Sequence, residues 1–203
     1  VSKIDYHPEY ACMIACAICH DLAESVERIE IVGGLRRQQE RVRGISIIYI
    51  SKVEAEVRHD HQGDLFGGYK KHVGKNVYAV EVALKQIPYL DYRVDEDGDL
   101  ITTVKHPFRF KAMHFKRPKY REQGIPIDLF PVQTSGEWGV ALTMKTGPAK
   151  FTMRMTTAAR RKGLNCNGHR LLKFKDNSWV PASTEEEFFQ LCGMRYVAPQ
   201  DRR

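Results

Sequence analysis

The sequence predicts an α+β protein built on a mixed β-sheet with packed helices, followed by a smaller α+β domain. Three observations predict it. A β-branched run from Ile45 to Ile50 follows a shorter apolar run, Ile29, Ile31 and Val32, across a polar turn. Ahead of them, apolar residues recur at helical spacing. Beyond residue 138, a basic helical pattern, a hairpin pattern and a capped helix follow one another.

The first element is a helix expected over residues 8 to 28. Pro8 suits a first-turn position, and Ile14, Ile18, Leu22 and Val26 recur every four residues. Cys12, Cys16 and Cys19 fall inside it at a spacing also found in iron–sulfur radical enzymes. Cluster ligands usually sit on loops, whereas these alternate with Tyr10, Met13, Ile14, Ala17 and Ile18 in a helical pattern, so they read as buried core thiols. The five cysteines are an odd number, which suits free thiols in a reducing compartment.

Residues 29 to 52 read as strand, turn, short helix and strand. Gly33 and Gly34 leave the first strand and open the short helix, where backbone amides can approach an anion, and Arg36 and Arg37 can add charge-assisted hydrogen bonds. Phosphate is the expected guest. Residues 53 to 75 turn polar, and His59, His61 and a nearby carboxylate there read as a solvated loop, not a metal site. An apolar helix or strand around Val77 to Leu84 is closed by Pro88, and Asp95-Glu96-Asp97-Gly98-Asp99 reads as a hairpin turn. Leu100 to Lys116 alternates as a half-buried strand, with Phe108 and Phe110 on one face and Arg109 and Lys111 on the other. Ile125 to Phe130 is a short apolar strand with an acid, Asp128, in its middle; such an acid is paired with a base or ligates a metal.

In the second domain, a helix is expected over residues 148 to 162, with Phe151, Met155, Ala158 and Ala159 as its buried stripe and Gly163 as its stop. Asp176-Asn177 marks a hairpin between Leu171 to Phe174 and Trp179 to Val180. Thr184 and Glu187 fit a capping box before Phe188, Phe189 and Leu191, and Gly193 ends that helix.

The net charge of +7 is unevenly laid out: Trp138 to Lys175 holds nine Lys or Arg and no acid, and Leu100 to Arg121 holds seven and none. Two such blocks form an electrostatic footprint for a polyanion, most simply a nucleic-acid backbone. Arg109, Lys111, Lys116, Lys150, Arg154, Arg160, Arg161 and Lys162 are its candidate contacts. No run approaches the roughly 18 apolar residues of a membrane-spanning helix, so a soluble, cytoplasmic protein without membrane partners is expected.

The Gly-Gly-Leu-Arg-Arg of residues 33 to 37, the strand after it and Asp128 resemble the palm of family X DNA polymerases, the polymerase beta relatives among the nucleotidyltransferases, and Thr146-Gly147 resembles the segment that the family uses against the incoming nucleotide's sugar. The ending from Glu185 to Arg203 resembles their thumb. The resemblance covers residues 29 to 52 and 125 to 203. It implies a minimal palm over residues 1 to 138 and a thumb over 139 to 203, as in some viral relatives, acting on gapped or primer–template DNA as a monomer in DNA repair. It implies nucleotide binding by Gly33, Gly34, Arg36, Arg37, Thr146 and Gly147, and a cis peptide bond before Pro148.

The chain also departs from that pattern. Gly34 stands where the family has serine, Met144 and Lys145 replace an aromatic pair, and Gly44 and Ser46 fall where two metal-binding carboxylates belong. Asp128 matches the third. Two-metal phosphoryl transfer needs hard anionic oxygens from adjacent same-face positions, such as residues i and i+2 of a strand, which glycine and serine do not supply. The expectation is therefore a DNA-binding protein impaired in catalysis. Two alternatives stay open: an active nucleotidyltransferase using Mg2+ or Mn2+ through Asp128 with Glu40, Glu54 or Glu56, and a protein-interaction module on a polymerase-like platform.

Overall fold

The structure is a computed structural model that describes residues 5–57, 75–92, 111–115 and 124–203. It is α+β. Helix α1 (Pro8–Asp21) is followed by a 3-10 turn (Ala23–Ser25) and by β1 (Val26–Val32), α2 (Gly33–Arg36), β2 (Ile45–Ser51), β3 (Val53–Val57), β4 (Lys75–Tyr78), α3 (Ala79–Gln86), β5 (Leu90–Tyr92), β6 (Lys111–Phe115) and β7 (Pro126–Pro131). Helices α4 (Trp138–Thr146) and α5 (Ala149–Arg161), strands β8 (Leu164–Asn167), β9 (Arg170–Lys173) and β10 (Trp179–Val180), and helix α6 (Glu185–Leu191) complete it.

The central sheet is mixed, with five strands in the order β1-β2-β7-β6-β5. The β2–β7 pair is parallel and its neighbours are antiparallel. Alternation along β2 divides its side chains between two cores. Ile45, Ile47 and Tyr49, with Ile127 and Leu129 of β7, pack on Ala11, Ile14, Ala15, Ile18 and Leu22 and on Val80 and Leu84 of α3. Ile48 and Ile50 face the other way, with Val32, Phe130 and Val132, onto Trp138, Ala141 and Leu142 of α4. A third core joins Phe151, Met155 and Ala159 of α5 to Leu164, Leu171, Phe188 and Phe189, and Val140 of α4 belongs to it. Helix α4 is thus buried between the sheet and the carboxy-terminal layer.

Two expectations need correcting. The helix expected over residues 8 to 28 ends at Asp21, because Val26 pairs with Ser51 and opens β1. The four-residue apolar period simply runs on from a helix face into a strand, and Ile14, Ile18, Leu22 and Val26 are all buried. The thiols of α1 are free and helical, but Cys12 and Cys16 are exposed and Cys19 is half-buried. The stripe that docks is the narrow one of Ala11, Ile14, Ala15 and Ile18, which leaves Met13 62% exposed on the solvent side.

The apolar stretch around residues 77 to 84 is both a strand and a helix, β4 then α3. The helix starting near Pro148, the hairpin around Asp176-Asn177 and the Thr184–Glu187 capping box are present as expected. The Gly147–Pro148 peptide is cis. His59, His61, the Asp95–Asp99 turn, Phe108, Phe110, Arg109 and Lys116 lie outside the described residues.

Candidate functional site

Parallel pairing sets Ser46 of β2 in register with Asp128 of β7. Facing residues on neighbouring strands point to the same side of a sheet, so the Ser46 hydroxyl and the Asp128 carboxylate share one face. Gly44 lies just ahead of β2, where β7 begins. A Cβ on Gly44 would come within 2.8 Å of the Pro126 carbonyl oxygen and 3.2 Å of Pro126 Cγ. One of the two positions where the resemblance expects carboxylates therefore has no room for a side chain, and the other carries a neutral hydroxyl.

Among the described residues, the donors around Asp128 do not make up the ligand set of a pair of Mg2+ or Mn2+ ions. Among the described residues, no three His, Cys, Asp or Glu side chains are grouped so that they could hold a metal ion. Glu54 and Glu56 lie on β3, which pairs with β4 in a separate two-stranded sheet. Glu40 is exposed in the connection from α2 to β2. Neither β3 nor the α2–β2 connection is part of the five-stranded sheet that holds Asp128.

A cation arrives at that face instead. Helix α4 runs across the side of the sheet that carries Ile48 and Phe130, and its last turn delivers Lys145. The Lys145 ammonium sits 3.9 Å from the centroid of the Phe130 ring. Phe130 is two residues from Asp128 and shares its face of β7. Burial pushes the Lys145 ammonium below its ordinary pKa, while the Asp128 carboxylate acts in the opposite sense. His169, in the β8–β9 turn, is pushed down to about 4, by burial and then by Lys145.

Next to it, β1 delivers the glycine turn. Gly33 adopts a φ of +69°, a conformation that favours glycine, and a Cβ there would lie 3.3 Å from Ser46 Cβ and Oγ and 4.0 Å from the Lys145 carbonyl oxygen. The Arg37 guanidinium donates to the Thr146 carbonyl through Nη1 and to Gln39 Oε1 through Nη2 at 3.0 Å. A Cβ on Gly147 would lie 3.4 Å from the same Arg37 Nη1. Gly33, Arg37, Thr146 and Gly147 are therefore neighbours, and Gly34 follows Gly33 in α2, where a Cβ would meet Gln39 Oε1 at 2.7 Å.

The two arginines of the turn differ. Arg36 is held by Glu30 (Nε–Oε1 3.2 Å), by the Thr146 hydroxyl (2.9 Å) and by Glu185 (2.8 Å). Glu185 in turn accepts from Arg202 at 2.8 Å, and Arg202 is enclosed by Phe151, Phe189 and Tyr196, with ring centroids 5.4, 5.4 and 5.8 Å away. Arg36 is thus a clamp between the glycine turn and the chain's last residues. Arg37 has no carboxylate within ion-pair distance among the described residues. Burial and then the charge of Arg202 lower its pKa. An arginine so placed carries uncompensated positive charge beside a glycine turn, which suits an oxyanion.

Sequence reasoning did not find Glu30, Glu185, Arg202 or His169. Glu185 lies in an acidic run that reads as capping sequence, and Arg202 in a terminal basic pair; neither spacing signals a buried ion pair.

The cations of α5 face solvent: Lys150, Arg154, Arg160, Arg161 and Lys162 are all exposed. Four of them, Lys150, Arg154, Arg161 and Lys162, line a groove of about 680 Å3 between α5 and the chain after α6. Arg160 projects outside this groove. Lys111 lies on β6, next to β7.

The part of the chain that carries α5 is recognisable on its own. Residues 141–203 match the family model of the DNA polymerase beta thumb. The thumb match takes in the end of α4 with Lys145, Thr146 and Gly147, all of α5, the three-stranded sheet, α6 and the Glu185–Arg202 pair. It marks this carboxy-terminal part as polymerase-beta-like. A search of curated proteins returned no match. Among the described residues, no helix is long and apolar enough to cross a membrane.

Proposed function

We propose that this chain is a polymerase-X-like protein, with a palm over residues 1–138 and a thumb over residues 139–203, that binds gapped or primer–template DNA and does not carry out efficient metal-assisted nucleotidyl transfer. The observation that carries the reading is the pairing of Ser46 with Asp128, beside a Gly44 with no space for a side chain. In-line transfer needs two dications clamped between attacking and leaving oxygens, and Asp128 alone, with no second carboxylate beside it among the described residues, does not balance them.

Binding does not depend on those ligands. The thumb match and the exposed cations of α5 support a surface that follows a phosphate backbone. Gly33, Gly34, Arg37, Thr146 and Gly147 form the corner that takes the phosphates of a nucleoside triphosphate, and Arg36 holds that corner to the thumb.

Two assays test the proposal. Fluorescence anisotropy on gapped DNA should give an affinity that falls steeply with salt, with a log–log slope reduced by about 0.9 for each α5 cation removed. Primer extension with Mg2+ or Mn2+ should give no product above background. Extension that is abolished by Asp128→Ala would make the protein an active enzyme, and an affinity indifferent to salt would point to a protein-interaction module.

A further inference from the structure

The walls of the groove beside α5 are that helix and the turn that follows α6, and both are tied to one core. Phe151, Met155 and Ala159 anchor α5 there, and the Met194 amide of the turn donates to the Phe189 carbonyl at 2.9 Å. The groove is therefore preformed, and its volume of about 680 Å3 falls among those of ligand-binding clefts, roughly 300–1,000 Å3. Gly193, at a φ of +66°, leaves room for Lys162 to lie across the turn: a Cβ there would meet Lys162 Cε at 2.5 Å.

The charge in this groove is of one sign. Lys150, Arg154 and Arg161 follow one another along one face of α5, and Lys162 joins them at the turn. No Asp or Glu lines the groove. Among the described residues, none of the four cations takes part in an ion pair. Like charges one turn apart destabilise a helix, so anions laid along this face would relieve a repulsion that the fold leaves in place. The rest of the lining is largely apolar: Met153, Ala158 and Met194 belong to it, and Met153 is 68% exposed. Methionine is the adaptable apolar side chain that recurs at surfaces which bind varied partners.

Cations and methionines together fit one kind of occupant. Duplex DNA meets proteins mainly through phosphate and sugar, which gain nothing from a thioether, and single strands are held by stacking on aromatic rings. No aromatic residue lines the groove. A peptide that carries carboxylates on either side of an apolar side chain uses both parts of it. We infer that the groove between α5 and the turn after α6 docks an acidic segment of a partner protein, whose carboxylates pair with Lys150, Arg154, Arg161 and Lys162 while an apolar side chain covers Met153. Docking here does not depend on the DNA-binding reading under Proposed function. The two draw on the same cations, so an acidic segment and a phosphate backbone exclude each other.

The test is fluorescence anisotropy of the full chain with labelled probes of equal charge: a synthetic peptide of Asp-Glu-Leu repeats, an oligoglutamate and an oligothymidylate. The Asp-Glu-Leu peptide should bind at least about fivefold more tightly than either of the others, the share of a leucine partly buried against methionine. Met153→Gln, which keeps a good helix former at an exposed position, should abolish that margin. Arg154→Ala, in the groove, should weaken the peptide by about fivefold or more, and Arg160→Ala, outside it, by less than about twofold. Thermal midpoints of the variants verify that the fold is intact. Oligoglutamate or oligothymidylate bound as tightly as the peptide would make the groove a general polyanion surface and overturn the inference. So would a margin that survives Met153→Gln, equal losses in Arg154→Ala and Arg160→Ala, or absence of peptide binding. Gapped DNA in the same assay keeps the two readings apart: DNA bound without peptide removes only the docking site, and peptide bound without DNA removes only the DNA-binding reading.

Discussion

Ser46 and Asp128 stand in register on adjacent parallel strands, and the position two residues before Ser46 is closed by the Pro126 carbonyl. Beside the Asp128 carboxylate, β2 presents a neutral hydroxyl. A side chain at residue 44 would require the start of the β2–β7 pair to open. Backbone packing thus favours glycine at residue 44.

Gly44→Asp should therefore destabilise the fold by about 1–3 kcal/mol, the usual cost of forcing atoms into a packed site. Ser46→Asp should cost less, since Ser46 is half-buried and its side chain already has a position. Urea denaturation midpoints of the two single variants check this. A Gly44→Asp midpoint equal to that of the unaltered chain would show that β7 yields easily.

The clamp of Glu185 between Arg36 and Arg202 predicts a larger loss. Glu185 is 3% exposed, and the Arg202 side chain is fully buried. Glu185→Ala should cost about 3–5 kcal/mol, because it strands a buried guanidinium. Burial opposes ionisation of Glu185, but hydrogen bonds from Arg202 and Arg36 outweigh it and hold the carboxyl below its ordinary value. A depressed carboxyl contributes stability above the unfolded pKa and loses it as the pH falls through the folded one. The destabilisation seen for Glu185→Ala at pH 7 should shrink well below pH 4.5; denaturant curves at both pH values measure it.

How much of this was legible in the sequence follows from the range of each interaction. The β-branched run at Ile45 to Ile50, the Thr184–Glu187 cap and the stripe of α5 depend on residues two to four apart, and their positions can be read directly. The approach of Gly33, Arg37, Thr146 and Gly147 joins segments more than a hundred residues apart, and only the resemblance to a known family made it readable. The Arg36–Glu185–Arg202 clamp and the Lys145–Phe130 contact left no local signal, because a buried ion pair looks in sequence like two surface charges. The end of α1 at Asp21 leaves no mark in the apolar period, because Val26 continues that period into β1.

Gly139 gives a test of how α4 is seated. A Cβ there would fall 1.9 Å from the Thr184 carbonyl oxygen and 2.9 Å from that of Ala182, both backbone atoms. The Gly139 amide donates to the Ala182 carbonyl at 2.8 Å. Gly139→Ala must push α4 away from the segment leading into α6, and should cost at least about 3 kcal/mol, at the upper end of overpacking effects. A thermal midpoint lowered by no more than that of an Ala substitution at exposed Lys162 would show that the two elements can separate without penalty.

His169 links the candidate site to pH in a different window from Glu185. Burial, reinforced by the Lys145 charge, pushes its imidazole from an ordinary 6.5 down to about 4. Between these values the unfolded chain takes up a proton that the folded chain refuses, so stability falls as the pH drops from 6.5 towards 4 and levels off below. A shift of this size corresponds to about 3 kcal/mol, at roughly 1.4 kcal/mol per pH unit. His169→Asn should remove that slope between pH 6.5 and 4. Lys145→Met should reduce it in part, because burial is the larger cause and remains. Urea midpoints at pH 7 and 5 for the three proteins give the comparison, and a slope unchanged in His169→Asn would place the titrating group elsewhere.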